Sequence, residues 1–156
     1  MRNVQRSDSA GEPGRLANRR GAEAKAEVES LLQINGYAVA RRAEVGESIY
    51  ATRLFADFVV DGSPDWPDGL IIEVISQTSA GSADQKFPFL VENIKQRYPC
   101  PAIIVLIGDG FGKGAVNWLL DQVDGRTLIA VLTLNEFGSL IRRRLGSVSY
   151  THLTLP

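Results

Sequence analysis

Apolar residues recur along the chain in short, well-punctuated runs whose spacing switches between helical and strand-like. Residues 21–35, GAEAKAEVESLLQIN, are strong helix formers. Ala24, Val28, Leu31 and Leu32 fall on one stripe at helical spacing. Gly36 follows where such a helix stops. From Tyr37 to Val45 apolar positions alternate, which predicts a strand. Residues 54–60, LFADFVV, form a β-rich run with one embedded carboxylate, Asp57. Residues 61–69, DGSPDWPDG, carry every local signal of a turn. Residues 70–75, LIIEVI, predict another buried strand, again with one embedded carboxylate, Glu73. The first half therefore reads as a helix followed by a three-stranded meander.

A polar stretch, SQTSAGSADQ, leads into a second helical pattern from about Asp84 to Tyr98. There Phe87, Leu90, Val91, Ile94 and Tyr98 share a face, Pro88 suits a first turn, and Pro99 and Pro101 end the element. Residues 102–107, AIIVLI, have the fully apolar character of a central strand. A glycine-rich turn, GDGFGKG at 108–114, precedes a helix over AVNWLLDQV. A strand follows at 128–134. A last helix from Asn135 carries Phe137, Leu140, Ile141 and Leu145, with Arg142 to Arg144 on it. The order α-β-β-β-α-β-α-β-α predicts an α/β fold with a mixed central sheet flanked by helices.

Length adds that one domain is present, since 156 residues leave no room for a second. A net charge of −1 gives no global pull toward polyanions, so any nucleic-acid contact rests on a local basic patch. A lone cysteine, Cys100, excludes a disulfide framework and a cysteine-rich zinc site. No apolar run reaches the ~18 residues of a membrane span. The N-terminal charges are not followed by the apolar core of a secretory signal. A soluble, cytoplasmic protein is the expectation.

Both ends differ from the middle. Residues 1–20 lack hydrophobic periodicity and read as a mobile tail, made basic by Arg15, Arg19 and Arg20. Residues 148–156, VSYTHLTLP, match the translation of a transposon-end adapter used in sequencing libraries. The expectation is that the gene was read into adapter and that the true C-terminus lies elsewhere. His152, the single histidine, falls inside that stretch. A histidine-based general base or metal ligand is therefore not expected in the domain, placed at 21–147.

The two carboxylates inside strands carry the chemistry. Burying an ionised carboxylate is costly unless it is paired or bound to a cation. Antiparallel pairing of the two strands would bring Asp57 and Glu73 together, and two like charges at short range favour a divalent cation between them. Such an ion polarises a phosphate and acidifies a bound water. The alternative is that both carboxylates face solvent on an open side of the sheet. The apolar neighbours Phe55, Phe58 and Val59 weaken it for Asp57.

The ordered set of a helix with acidic residues, ADFVV and IIE resembles the core of the PD-(D/E)XK nuclease superfamily. It is closest to the restriction-endonuclease-like branch. That branch carries an E-x-K-x-Q strand, a GS-[VA]-D-[EQ]-K-[FY]-P-[FY]-L-V segment and a G-[YF]-x-K-G-A turn. Their counterparts are Glu73 with Gln77, GSADQKFPFLV at 81–91 and GFGKGAVNWLL at 110–120. The resemblance spans roughly residues 19–145. It implies that Asp57 and Glu73 ligate Mg2+ (or Mn2+), with the backbone carbonyl of Val74 as a third oxygen. It further implies that Glu27, or less readily Glu23, orients waters from the first helix, and that Gln77 helps position the network. The motif lysine is replaced by Ile75, which cannot stabilise charge on a phosphate. Three accounts stand: a lysine from elsewhere, with Lys86 the best candidate; loss of catalysis with binding retained; or a sequence error at this position.

The turn GDGFGKG is not a nucleotide loop: Ala115 follows Gly114 where a P-loop needs its GK[ST], and Lys113 stands where G-x-G-x-x-G needs its last glycine. Its amides and Lys113 could still meet a DNA phosphate. Trp66 and Trp118 read as packing rather than stacking platforms. The leading expectation is a metal-dependent endonuclease acting on double-stranded DNA, with a homodimer possible. The competing readings are an inactive nuclease-fold domain that binds nucleic acid and an α/β protein-interaction domain.

Overall fold

The computed structural model describes residues 4–64, 66–78 and 81–143, with side chains from Arg19 onward. The first helix, α1 (Val4–Ile34), is followed by strands β1 (Ala38–Glu47), β2 (Arg53–Asp61) and β3 (Leu70–Ser76). A 3₁₀ turn (Ala83–Lys86) leads into α2 (Phe87–Gln96). Then come β4 (Ala102–Ile107), α3 (Lys113–Asp121), β5 (Leu128–Thr133) and α4 (Leu134–Arg142). The expected α-β-β-β-α-β-α-β-α order is the order found.

The strands form one mixed sheet, β1-β2-β3-β4-β5. The first three are antiparallel neighbours and the last three parallel ones. β3 and β4 lie inside the sheet with both faces covered, which is why their sequences are almost continuously apolar. On one face Ala24, Val28 and Leu32 of α1 and Phe137, Leu140 and Ile141 of α4 pack on Leu70, Ile72 and Val74. On the other, Phe87, Val91 and Ile94 of α2 and Leu119 of α3 pack on Ile71 and Ile104, with Ile75 at the margin. Alternation along β3 thus sends even positions to the α1–α4 layer and odd positions, Glu73 among them, to the α2–α3 layer.

α1 ends in a Schellman motif. Tyr37 N–H donates to Leu32 O and Gly36 N–H to Gln33 O, both at 3.0 Å, while Gly36 takes φ +85°. α4 opens on a capping box: Glu136 N–H donates to Thr133 Oγ1 and Thr133 N–H donates to Glu136 Oε1. That cap moves Leu134 from the expected strand into the helix.

One boundary needs correcting. Residues 4–20, expected as part of a mobile leader, have a helical backbone continuous with α1. Once Ala24, Val28 and Leu32 fix the helix against the sheet, extending it upstream gains a hydrogen bond per residue without a new nucleation cost. The segment 148–156, with His152, and Arg144 lie outside the described residues. Among the described residues no helix is long and apolar enough to cross a membrane.

Candidate active site

The β2–β3 ladder pairs Val60 with Leu70, Val59 with Ile71 and Phe58 with Ile72, and goes no further. Both strands continue beyond that rung, so they part where Asp57 and Glu73 stand. Asp57 fills the opening: its Oδ2 accepts the Val74 N–H at 2.8 Å, replacing the strand carbonyl that the ladder no longer supplies. Across the hairpin, the β1–β2 register sets Arg42 opposite Asp57, and Arg42 has φ +45°. A non-glycine residue in that region costs on the order of 1 kcal/mol. Such strain gathers at functional sites.

Glu73 is a buried charged residue, 7% exposed. Its Oε1 accepts a 2.6 Å hydrogen bond from the Tyr98 hydroxyl, which arrives from the α2 side. Burial first, and the neighbouring Asp57 carboxylate second, push the Glu73 carboxyl well above the usual carboxylate range, against the pull of Tyr98. The Tyr98 phenol is likewise raised, by burial and then by Glu73.

From the opposite layer, Lys25 of α1 places Nζ 3.0 Å from Asp57 Oδ1. One turn on, Glu29 pairs with Arg41 of β1 at 3.1 Å, so this face of α1 looks onto the first two strands. The two carboxylates are therefore met by a cation from one layer and a phenol from the other.

The structure thus joins Asp57 and Glu73 as expected. Glu27 lies two residues from Lys25, roughly 200° around the helix. It lines a groove with Leu31, Leu134, Asn135 and Arg142 between α1 and α4, away from the carboxylate pair. Glu23 is exposed and stands two residues before Lys25, roughly 200° around the helix from it. The helix-borne acid expected at the pair is thus replaced by a helix-borne base. Lys86 caps the N-terminus of α2 and is exposed; the lysine at the pair is Lys25.

Gln77 stands at the end of β3, beside the glycine-rich turn. Its Nε2 donates to Gly110 O at 2.9 Å and its Oε1 accepts the Ala83 N–H at 2.8 Å. Its own backbone carbonyl accepts the Gly110 N–H. Asp84 adds a bond from the Gly112 N–H at 2.9 Å. Gln77 and Asp84 together staple the end of β3 to the glycine-rich turn, which is a strand-to-helix turn as expected. Ile75 shares Glu73's face of β3 and packs at the edge of the α2–α3 core. Trp66 is buried in the α1–α4 core, and Trp118 is 39% exposed on α3.

Neither Lys25 nor Tyr98 carries a motif in the sequence. The available signal for Lys25 is its place beside the Ala24–Val28 stripe, one turn before Glu29. For Tyr98 it is a hydroxyl at the end of an otherwise apolar helix face.

The donor set suits a hard divalent cation. Two mutually repelling carboxylates, one of them deprived of water, gain from a cation between them. Among the described residues no third carboxylate, histidine or cysteine joins them. The Val74 carbonyl is the available further oxygen: in an extended strand a residue's N–H and C=O point to the same side, and its N–H points at Asp57.

No curated protein matches the chain. Among solved structures, a protein of unknown function, AF1548, matches at 10% identity with a TM-score of 0.43, over 70% of this chain and 56% of that one. SfsA of Pyrococcus furiosus in complex with Ca2+ matches at 19% identity with a TM-score of 0.41, over 77% of this chain and 57% of that one. The chain thus spans little more than half the length of either. The model of the PD-(D/E)XK nuclease superfamily domain matches residues 16–145, nearly the whole described chain and both carboxylates. On that match, the chain belongs to the PD-(D/E)XK nuclease superfamily.

Proposed function

We propose that this domain is a metal-dependent DNA endonuclease that hydrolyses phosphodiester bonds of double-stranded DNA. The observation that carries the reading is the meeting of Asp57 and Glu73 where β2 leaves β3. A parting of two neighbouring strands that brings two carboxylates together is a place for a cation and an anionic substrate, not for packing.

Asp57, Glu73 and the Val74 carbonyl would hold Mg2+ or Mn2+, which supplies Lewis acidity toward phosphate and acidifies water. The chain's own residues set the geometry. Val74 N–H fixes the Asp57 carboxylate, and the Tyr98 hydroxyl fixes Glu73. In the hydrolysis the water oxygen bonds to phosphorus in line with the breaking phosphorus–O3′ bond. The O3′ leaves with a proton derived from that water. The burial of Glu73 strengthens its electrostatic contacts with Asp57 and Tyr98.

A second reading has one specific support: Lys25 sits on Asp57 while the residue two after Glu73 is isoleucine. That arrangement also suits a domain that binds nucleic acid without cutting it. Supercoiled plasmid incubated with the protein in Mg2+, in Mn2+ and in EDTA decides. Nicking or linearisation that needs the metal and vanishes in Asp57→Ala and Glu73→Ala supports the nuclease. Retardation of DNA without cleavage in any metal supports the binding domain.

A further inference from the structure

A phosphodiester entering beside Asp57 and Glu73 is an anion approaching two acidic groups. As the attacking oxygen closes on phosphorus, further negative charge collects on the non-bridging oxygens. A donor fixed where that charge develops is usually the largest single contribution to such a step. Position 75, on Glu73's face of β3, offers only an aliphatic side chain.

Four arginines of α1, β1 and β2 are engaged elsewhere. Arg20 donates to Thr78 Oγ1 at 2.6 Å. Arg41 pairs with Glu29, and Arg53 donates twice to Glu44. Arg42 stacks on the Phe55 ring at 5.3 Å. Lys25 differs. Its Nζ is at the site, 3.0 Å from Asp57 Oδ1, yet its side chain is 49% exposed. An ammonium has three donors, so one bond to Asp57 leaves two for another oxygen. The adjacent Ala24 and nearby Val28, both buried, fix the backbone of Lys25 against the sheet while its stem stays free to turn.

We infer that Lys25 is the catalytic cation of this site: held at Asp57, its ammonium donates to a non-bridging oxygen of the scissile phosphate, the task that Ile75 cannot perform. The inference rests on the nuclease reading. Lys25 keeps its own protons throughout. The bonds that form and break are those of the hydrolysis described above.

The test uses the full chain, three variants and two readouts: plasmid cleavage in Mg2+, and binding of Mg2+ alone by calorimetry. Lys25→Met keeps the stem and removes the charge. Its cleavage should fall about 100-fold or more. Its Mg2+ affinity should hold or tighten a few-fold, roughly, because a competing cation has left Asp57. Lys25→Arg should retain activity within about tenfold, since the charge remains. Adding Ile75→Lys to Lys25→Met should restore about tenfold or more of the lost cleavage by supplying a cation from the neighbouring strand.

Lys25→Met cleaving within about threefold of wild type overturns the inference while the nuclease reading stands. So does a loss of Mg2+ affinity that matches the loss of cleavage, with Lys25→Arg as impaired as Lys25→Met. That pattern marks an ion pair that only shapes the site. A wild-type chain that cleaves in no divalent metal overturns the nuclease reading and this inference with it, and is told apart because no variant is then needed to see it.

Discussion

The amide of Val74 donates to Asp57 Oδ2 over 2.8 Å, at the rung where β2 and β3 cease to pair. One carboxylate thereby does two jobs: it satisfies a backbone donor of the central strand through Oδ2 and holds the Lys25 ammonium through Oδ1. Substitutions separate the two. Asp57→Asn keeps an oxygen acceptor for Val74 and removes the charge. It should fold like wild type and lose metal-dependent plasmid cleavage by roughly 100-fold or more. Asp57→Ala also orphans the Val74 N–H. It should add a stability loss of about 1–3 kcal/mol in urea unfolding. Equal stability of the two variants would show that the backbone bond contributes nothing.

Tyr98 gives a second separation. Its hydroxyl bonds Glu73 Oε1 at 2.6 Å inside the protein. Tyr98→Phe leaves a buried carboxyl short of a donor and should cost about 1–2 kcal/mol in urea unfolding. Because Glu73 then loses its orienting contact, cleavage in Mg2+ should fall as well, by less than in Glu73→Ala. A Phe variant that is as stable and as active as wild type would remove Tyr98 from the account.

Much of this site is legible in the sequence. The turn at 61–69 forces β2 and β3 to be neighbours, so Asp57 and Glu73 had to meet once both were placed in strands. Almost continuously apolar runs place β3 and β4 inside the sheet. The choice among residues of α1 is less legible. The stripe Ala24, Val28 and Leu32 says which side is buried, but not which flank turns toward β2 and which toward α4. That depends on the packing of α1 against α4, a long-range matter. Hence Glu27 falls in the α1–α4 groove and Lys25 falls on Asp57. The place of Lys86 is hidden in the sequence for a related reason. Its segment matches well, but the 3₁₀ turn ahead of α2 leaves it exposed at the helix N-cap. Tyr98 looks like one more apolar helix position, but α2 ends at Gln96, and Tyr98 brings its hydroxyl to Glu73 from just beyond the helix.

Gly108 tests the staple behind the site. It takes φ +103°, and a Cβ there would lie 2.4 Å from the Gln77 carbonyl oxygen, a backbone atom with little room to yield. Gly108→Ala therefore meets both a left-handed conformation and a backbone clash. It should destabilise the fold by about 2 kcal/mol or more, read by urea unfolding. Gly114, where an added Cβ meets nothing within 4 Å, is the control. Gly114→Ala should leave stability unchanged or raise it by a few tenths of a kcal/mol, roughly. Similar losses in both variants would mean that the close approach to Gln77 is not what demands glycine.

The loop between α3 and β5 makes a prediction in pH. Asp124 Oδ1 accepts the N–H groups of Arg126, Thr127 and Leu128, and Oδ2 accepts from Lys95 Nζ at 3.1 Å and from the Thr127 hydroxyl. Partial burial pulls the Asp124 carboxyl upward, but these hydrogen bonds outweigh it and hold the group well below the usual carboxylate range. The folded chain therefore binds this proton more weakly than the unfolded one. Its contribution is present above the ordinary value of 3.8 and is lost as pH falls below that toward the folded value. Asp124→Asn removes the titrating group while keeping one acceptor oxygen. The gap in Tm between wild type and this variant should be widest at about pH 7 and should narrow progressively as the pH is lowered through about 4 toward 3. Other carboxylates titrate in both proteins and cancel in the difference. A gap that stays constant from pH 7 to about 3 would mean that Asp124 serves as a neutral acceptor would. A gap that widens in acid would reverse the sign and overturn the assignment of its hydrogen bonds to the charged form.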